Sequence, residues 1–87
     1  MTTADPWARA VVELTGGAGN ITAVEHCWSR LRLTVRDRAL ADEDALGALP
    51  EVLVVAWQAG QLQLALRTGL LEAYAAVREV LRRAERG

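Results

Sequence analysis

The sequence predicts an α+β fold: a four-stranded antiparallel sheet with three helices on one face, in the order α-β-β-α-β-β-α. Three observations predict it. Segments with helical apolar spacing stand near both ends of the chain. Between them lie two pairs of strand-like runs, and within each pair the connection is too short for the crossover that parallel strands need. A short capped helix separates the pairs, so the helices are left to cover one side of an antiparallel sheet.

Asp5-Pro6 reads as an N-cap followed by proline at the first helical position. Trp7, Ala10, Val11 and Leu14 then recur at helical spacing, and Gly16-Gly17 stops the helix. From Ile21 to His26 the chain reads as extended, with imperfect alternation. Residues 30–36 alternate cleanly, with Leu31, Leu33 and Val35 on one side and Arg30, Arg32, Thr34 and Arg36 on the other. The segment from His26 to Ser29 is therefore a turn. "LADEDALGAL" reads as a short helix capped by Asp42, with Leu46 and Leu49 inward and Pro50 as its end. "VLVVAW" reads as a strand buried on much of both faces, and Ala59-Gly60 as a turn. Leu62, Leu64 and Leu66 give the next strand a core side, and Thr68-Gly69 opens a long helix with Leu70, Tyr74, Val77 and Leu81 on one stripe. The expected core is Leu14, Leu31, Leu33, Leu46, Leu64, Leu66, Tyr74, Val77 and Leu81.

Residues 1–87 are expected to form a single domain, with room for one core. At 52% hydrophobic residues the chain is globular, and a net charge of −1 supplies neither a basic field for nucleic acid nor a polybasic membrane anchor. The N-terminal "MTTADPWAR" lacks the build of a signal peptide, and no apolar run reaches the ~20 residues of a membrane span. A lone thiol without an export signal fits the cytoplasm.

That thiol, Cys27, sits beside the single histidine, His26, and ahead of Arg30 and Arg32. A lone cysteine in a small domain commonly serves as a small buried hydrophobe. Here the neighbours Glu25, His26 and Ser29 are polar, the position is a turn with free N–H groups, and two arginines follow on one strand face. Such surroundings lower a thiol pKa and stabilise the thiolate. They would also hold a phosphate on the sulfur, because arginine forks match phosphate oxygens. His26 precedes the thiol directly, and adjacent strand residues face opposite ways, which argues against a Cys-His pair. Trp28 is either an exposed contact residue or a half-buried anchor.

The stretch "GGAGNITAVEHCWSRLRLTVRD" resembles the phosphocysteine motif of the IIB domain of the glucose-type bacterial sugar phosphotransferase system. Asn20, Ile21, Cys27, Arg30, Leu31, Leu33, Val35 and Asp37 fall in its pattern, with Ser29 where threonine is usual, Glu25 where aspartate is frequent, and Arg67 where a glycine usually follows the fourth strand. The resemblance runs over roughly residues 8 to 80. It implies a phosphoryl carrier of a phosphoenolpyruvate-dependent sugar phosphotransferase system, a sugar phosphotransferase component with a phosphocysteine intermediate. Cys27 would take phosphate from a phosphohistidine on a IIA protein or domain and pass it to a sugar held by a IIC membrane permease. Catalysis would rest on Cys27, Arg30 and Arg32, and the phosphate on the Ser29 hydroxyl and the turn N–H groups of Trp28, Ser29 and Arg30. Of the two arginines, Arg30 is nearer the turn and is expected to reach the phosphate more directly. No cofactor, nucleotide or metal is implied, and neither nucleic-acid binding nor direct membrane insertion. The location implied is the cytoplasm, at the inner face of the membrane through the IIC partner. A second reading is a IIB-like signalling or interaction module without a transport role. A thiol redox sensor is disfavoured by the want of a resolving cysteine.

Overall fold

The computed structural model describes residues 5–86, so the start of the expected leaderless N-terminus, residues 1–4, lies outside the described residues. The elements run α1 (Pro6–Leu14), β1 (Ile21–His26), β2 (Arg30–Val35), α2 (Glu43–Gly47), β3 (Val52–Gln58), β4 (Gln61–Leu66) and α3 (Leu70–Arg86), with short 3-10 turns at Ala18–Asn20 and Arg38–Leu40. All strand pairs are antiparallel, in the order β1-β2-β4-β3. The expected α-β-β-α-β-β-α fold is the one observed.

Local chemistry accounts for the element ends. The Asp5 carboxylate accepts from the N–H groups of Trp7 at 2.8 Å and Ala8 at 3.3 Å, and Pro6 follows it. Asp42 caps α2 through the Ala45 N–H at 3.0 Å. In the β3–β4 hairpin Ala59 and Gly60 both have positive φ, 50° and 81°, the backbone a two-residue turn demands. Arg67 leaves β4 without a positive φ; its N–H donates to the Glu51 carbonyl at 3.0 Å and its Nε to Pro50 at 2.7 Å. The left-handed residue comes two positions later, at Gly69 with φ 70°.

The core lies between the helices and one sheet face. Register places Leu31 opposite Leu64 and Leu33 opposite Leu62, and all four are fully buried with Leu46, Val11 and Val77. Leu33 is buried as β2 alternation requires, so the register of that strand is as expected. Leu14, Leu66, Tyr74 and Leu81 are only partly buried and form the rim, whereas Ala8, Val12, Ile21 and Val52 belong to the buried set. The rim residues sit at element ends or on the outer turns of α3, where fewer neighbours close over them.

One expectation fails. β3 is not buried on both faces: Leu53 is 54% exposed and Val54 47%. The sheet order makes β3 an edge strand, and a shift of register between Val52 and Val54 turns these side chains outward.

The segment joining α1 to β1 is held by one side chain. Asn20 is 4% exposed; its Nδ2 donates to the carbonyls of Thr15 at 2.8 Å and Asp37 at 3.0 Å, and its Oδ1 accepts from the Asp37 N–H at 2.9 Å. Gly16 makes room for it. With φ at 106°, a Cβ there would stand 2.5 Å from Asn20 Nδ2 and 2.9 Å from Leu40 Cβ. Asn20 therefore fixes where β1 starts and β2 ends, and so aims the hairpin between them.

Candidate functional site

The β1–β2 hairpin ends in the pair His26–Leu31, and beyond it the Cys27 N–H donates to the Arg30 carbonyl at 3.0 Å. Trp28 and Ser29 form the two-residue connection. The Cys27 carbonyl lies 3.1 Å from His26 Nδ1.

The effect falls on the thiol. Its pKa lies below the ordinary cysteine value, chiefly because the Ser29 N–H bonds to the sulfur. Partial burial acts in the opposite sense, and the Arg30 N–H and then the Arg32 guanidinium, by hydrogen bond and by charge, add to the lowering. Cys27 itself is partly exposed, so a reagent or partner can reach it.

Since the thiolate is the reactive form, its alkylation rate rises tenfold per pH unit up to the pKa and then levels. A lowered pKa moves that midpoint below the value of about 8.5 of free cysteine. We predict such a midpoint for Cys27 with iodoacetamide. Arg32→Gln should move it part of the way back, because the Ser29 N–H remains. A wild-type midpoint at or above the free value contradicts this electrostatic picture.

Arg30 and Arg32 leave the same face of β2, yet their guanidinium groups part. Arg32 is the one acting on the sulfur. Arg30 Nη1 donates instead to Gln63 Oε1 at 3.2 Å. The expectation that Arg30 reaches a phosphate more directly concerns the phosphorylated protein; around the free thiol Arg30 is engaged by Gln63. The cause is the neighbouring strand: Arg30 stands opposite small Ala65, so its side chain can lie diagonally across β4 to Gln63. Arg32 starts one pleat, about 6–7 Å, further along the strand from the turn.

The other predicted positions are now placed. Ser29 is exposed and contributes its N–H to the sulfur. Trp28 is 98% exposed, so it is not a half-buried anchor. His26 turns to the helix side, its ring edge-on to Tyr74 with centroids 4.6 Å apart, away from the arginine face. Arg36 lies outside the site, its Nε donating to the Gly19 carbonyl at 2.9 Å. Sequence reasoning missed Gln63. Its only signal was a polar residue in the alternation of "QLQLAL", indistinguishable there from a solvated face.

The arrangement can stabilise negative charge on a sulfur and on an anion attached to it. Residues 9–42, which contain the hairpin, match the family described as phosphotransferase system, EIIB. The sucrose-specific EIIBC component of Klebsiella pneumoniae is 41% identical over 70 residues, covering 79% of this chain and 15% of that protein. The arbutin-, cellobiose-, and salicin-specific EIIBC component of Escherichia coli (strain K12) is 38% identical over 74 residues, 85% of this chain and 15% of that protein. This chain therefore spans about 15% of the length of such curated relatives. Among solved structures, one domain of the IIabc component of the same system from Clostridium difficile superposes with a TM-score of 0.74 at 32% identity, covering 83% of this chain and 76% of that one. An identity of that size, sustained across a shared fold, is decisive: the chain belongs to the EIIB family of the phosphotransferase system.

Proposed function

We propose that the chain is a phosphoryl carrier in a sugar phosphotransferase system, with Cys27 as the residue that carries the phosphate. The supporting observation is the place of the thiol: it is partly exposed at the mouth of a two-residue turn, ahead of two arginines on one strand face, with its pKa lowered by the turn N–H groups and Arg32. In the first step the Cys27 thiolate attacks the phosphorus of a phosphohistidine on a IIA partner. The S–P bond forms as the P–N bond breaks, and the imidazole leaves. In the second a sugar hydroxyl attacks the same phosphorus, the S–P bond breaks, and the thiolate departs while the hydroxyl proton passes to a base on the acceptor side. Catalysis of this kind is largely positioning and charge stabilisation. The N–H groups of Trp28, Ser29 and Arg30 and the Ser29 hydroxyl cradle the phosphate, and Arg30 and Arg32 balance its charge.

The sugar is held by a IIC membrane partner, a pairing that the EIIBC names of the relatives support. Among the described residues no helix is long and apolar enough to cross a membrane. In this reading residues 1–87 work as one IIB unit at the cytoplasmic face.

The test is incubation with phosphoenolpyruvate, the general phosphotransfer proteins and a IIA partner. One phosphoryl group should add to the wild-type protein, and none without the IIA. No mass gain with any glucose-type IIA contradicts the proposal. Arg30→Ala and Arg32→Ala should still accept phosphate, since the phosphohistidine drives that step. Donation to sugar, assayed separately with a IIC component, should fall by about ten- to a hundredfold, the worth of one charged hydrogen bond. Arg30→Lys should rescue poorly, because a point charge cannot reproduce the fork. Wild-type donation in both alanine variants would reduce the site to Cys27 and its turn.

A further inference from the structure

We propose that Gln63 is a positioning residue that holds the Arg30 guanidinium aside while the thiol is free and yields it once the sulfur carries a phosphoryl group. The purpose of this device rests on the carrier function proposed above; its geometry does not.

Gln63 is an unusual side chain for its place. It points to the sheet face away from the apolar core, yet it is 3% exposed. Arg32 on β2 and Ala56 on β3 stand opposite it and close it in. A buried amide is costly unless both of its ends are bonded. Here both are: Oε1 accepts from Arg30 Nη1 at 3.2 Å, and Nε2 donates to Gln61 Oε1 at 3.3 Å. Gln61 Nε2 in turn points at the Glu25 carboxylate, 3.5 Å away. The order of donors fixes which end of the amide faces Arg30, so the acceptor is presented to the guanidinium and not left to chance. An apolar β-branched residue would pack this site without such arrangements.

The same guanidinium has a second station within reach. The Cys27 N–H bonds to the Arg30 carbonyl at 3.0 Å, so Arg30 stands across the turn from the thiol and side-chain rotation separates the two positions. A neutral amide oxygen competes weakly against a phosphoryl dianion, whose charge-assisted bonds to arginine are roughly twice as strong and can be bidentate. With a free thiol the amide keeps Arg30, and Arg32 alone faces the sulfur. With phosphate in place the balance reverses. The second guanidinium then arrives when leaving-thiolate charge must be stabilised, and not before, when it would bind the thiolate and dull the nucleophile.

The experiment compares alkylation of Cys27 by iodoacetate, an anion, with that by iodoacetamide, which is neutral. The ratio of the two rates reports positive charge at the sulfur. Gln63→Met removes the acceptor at similar length and should raise the ratio about threefold, the effect of one guanidinium released near a solvated site. Gln63→Glu pins Arg30 by charge and should lower it. In an Arg30→Ala background, Gln63→Met should leave the ratio unchanged. A merely structural role would give the same response in both backgrounds and would overturn the proposal, as would a ratio unaffected by either substitution. Should the Gln63 variants fail to fold, Gln61→Leu, which loosens the next link, must shift the ratio upward in the presence of Arg30 and not in its absence. In the phosphoryl assay Gln63→Glu should accept at the wild-type rate and donate about tenfold more slowly, as an arginine held back requires. If the wild-type protein took up no phosphate, the carrier function would fall while the alkylation ratios still decided the role of Gln63.

Discussion

Cys27→Ser is expected to abolish phosphoryl uptake while leaving the melting temperature within about 3 °C of the wild-type value. The loss is complete because a hydroxyl in the same turn stays protonated: the Ser29 and Arg30 N–H groups and Arg32 lower the thiol from its ordinary value, and a serine hydroxyl starts far above that value. Stability is spared because the side chain is partly exposed and the exchange is nearly isosteric. The backbone bond from Cys27 N–H to the Arg30 carbonyl, which closes the hairpin, does not depend on the side chain. Thermal unfolding and the phosphoryl assay run on one preparation separate the two effects. A large fall in melting temperature would mean that Cys27 is there to pack, and the donors around it would lose their functional meaning.

The second large effect is on the fold. Asn20→Ala removes three hydrogen bonds at once and leaves the Thr15 and Asp37 carbonyls and the Asp37 N–H without partners in a closed space. At ordinary costs for unsatisfied buried groups this amounts to about 2–4 kcal/mol, a large part of the stability of so small a domain. The expected fall in melting temperature is about 10–20 °C. Asn20→Asp should not rescue it, since a carboxylate would face two carbonyl oxygens where the amide donated. Gly16→Ala should act through the same contact, by driving a methyl group into the Asn20 amide and by straining a positive φ. At low temperature, where Asn20→Ala remains folded, Cys27 should keep its wild-type alkylation profile, because the two sites lie at opposite ends of β1. A shifted profile would show that Asn20 acts on the thiol.

These residues also show what a sequence can and cannot disclose. The fold was legible because each signal was local: the Asp5-Pro6 cap, the Gly16-Gly17 stop, the alternation of Leu31 and Leu33, and the Ala59-Gly60 turn all act within a few residues of themselves. Strand order is not local, and so the exposure of Leu53 and Val54 on an edge strand went unread in a run of apolar letters. The motif that carries the family resemblance mixes two kinds of residue. Asn20 and Asp37 brace the scaffold, whereas Cys27, Ser29 and Arg32 meet at the sulfur. Spacing alone does not sort them. The contact of Arg30 with Gln63 was hidden for the same reason, because it depends on Gln63 and Ala65, more than 30 residues away along the chain and adjacent only through the β2–β4 pairing.

The most direct test of the central claim is to locate the phosphoryl group. The protein, phosphorylated through phosphoenolpyruvate and a IIA partner, would be digested at neutral pH and its phosphopeptide fragmented by mass spectrometry. Three candidate acceptors stand within three positions of one another: His26, Cys27 and Ser29. The proposed carrier is the Cys27 sulfur, whose pKa the turn N–H groups and Arg32 lower, whereas His26 turns to Tyr74 on the other side of the sheet. A phosphoryl group on Cys27 is the predicted result. One found on His26 or Ser29, with Cys27 unmodified, would contradict the account.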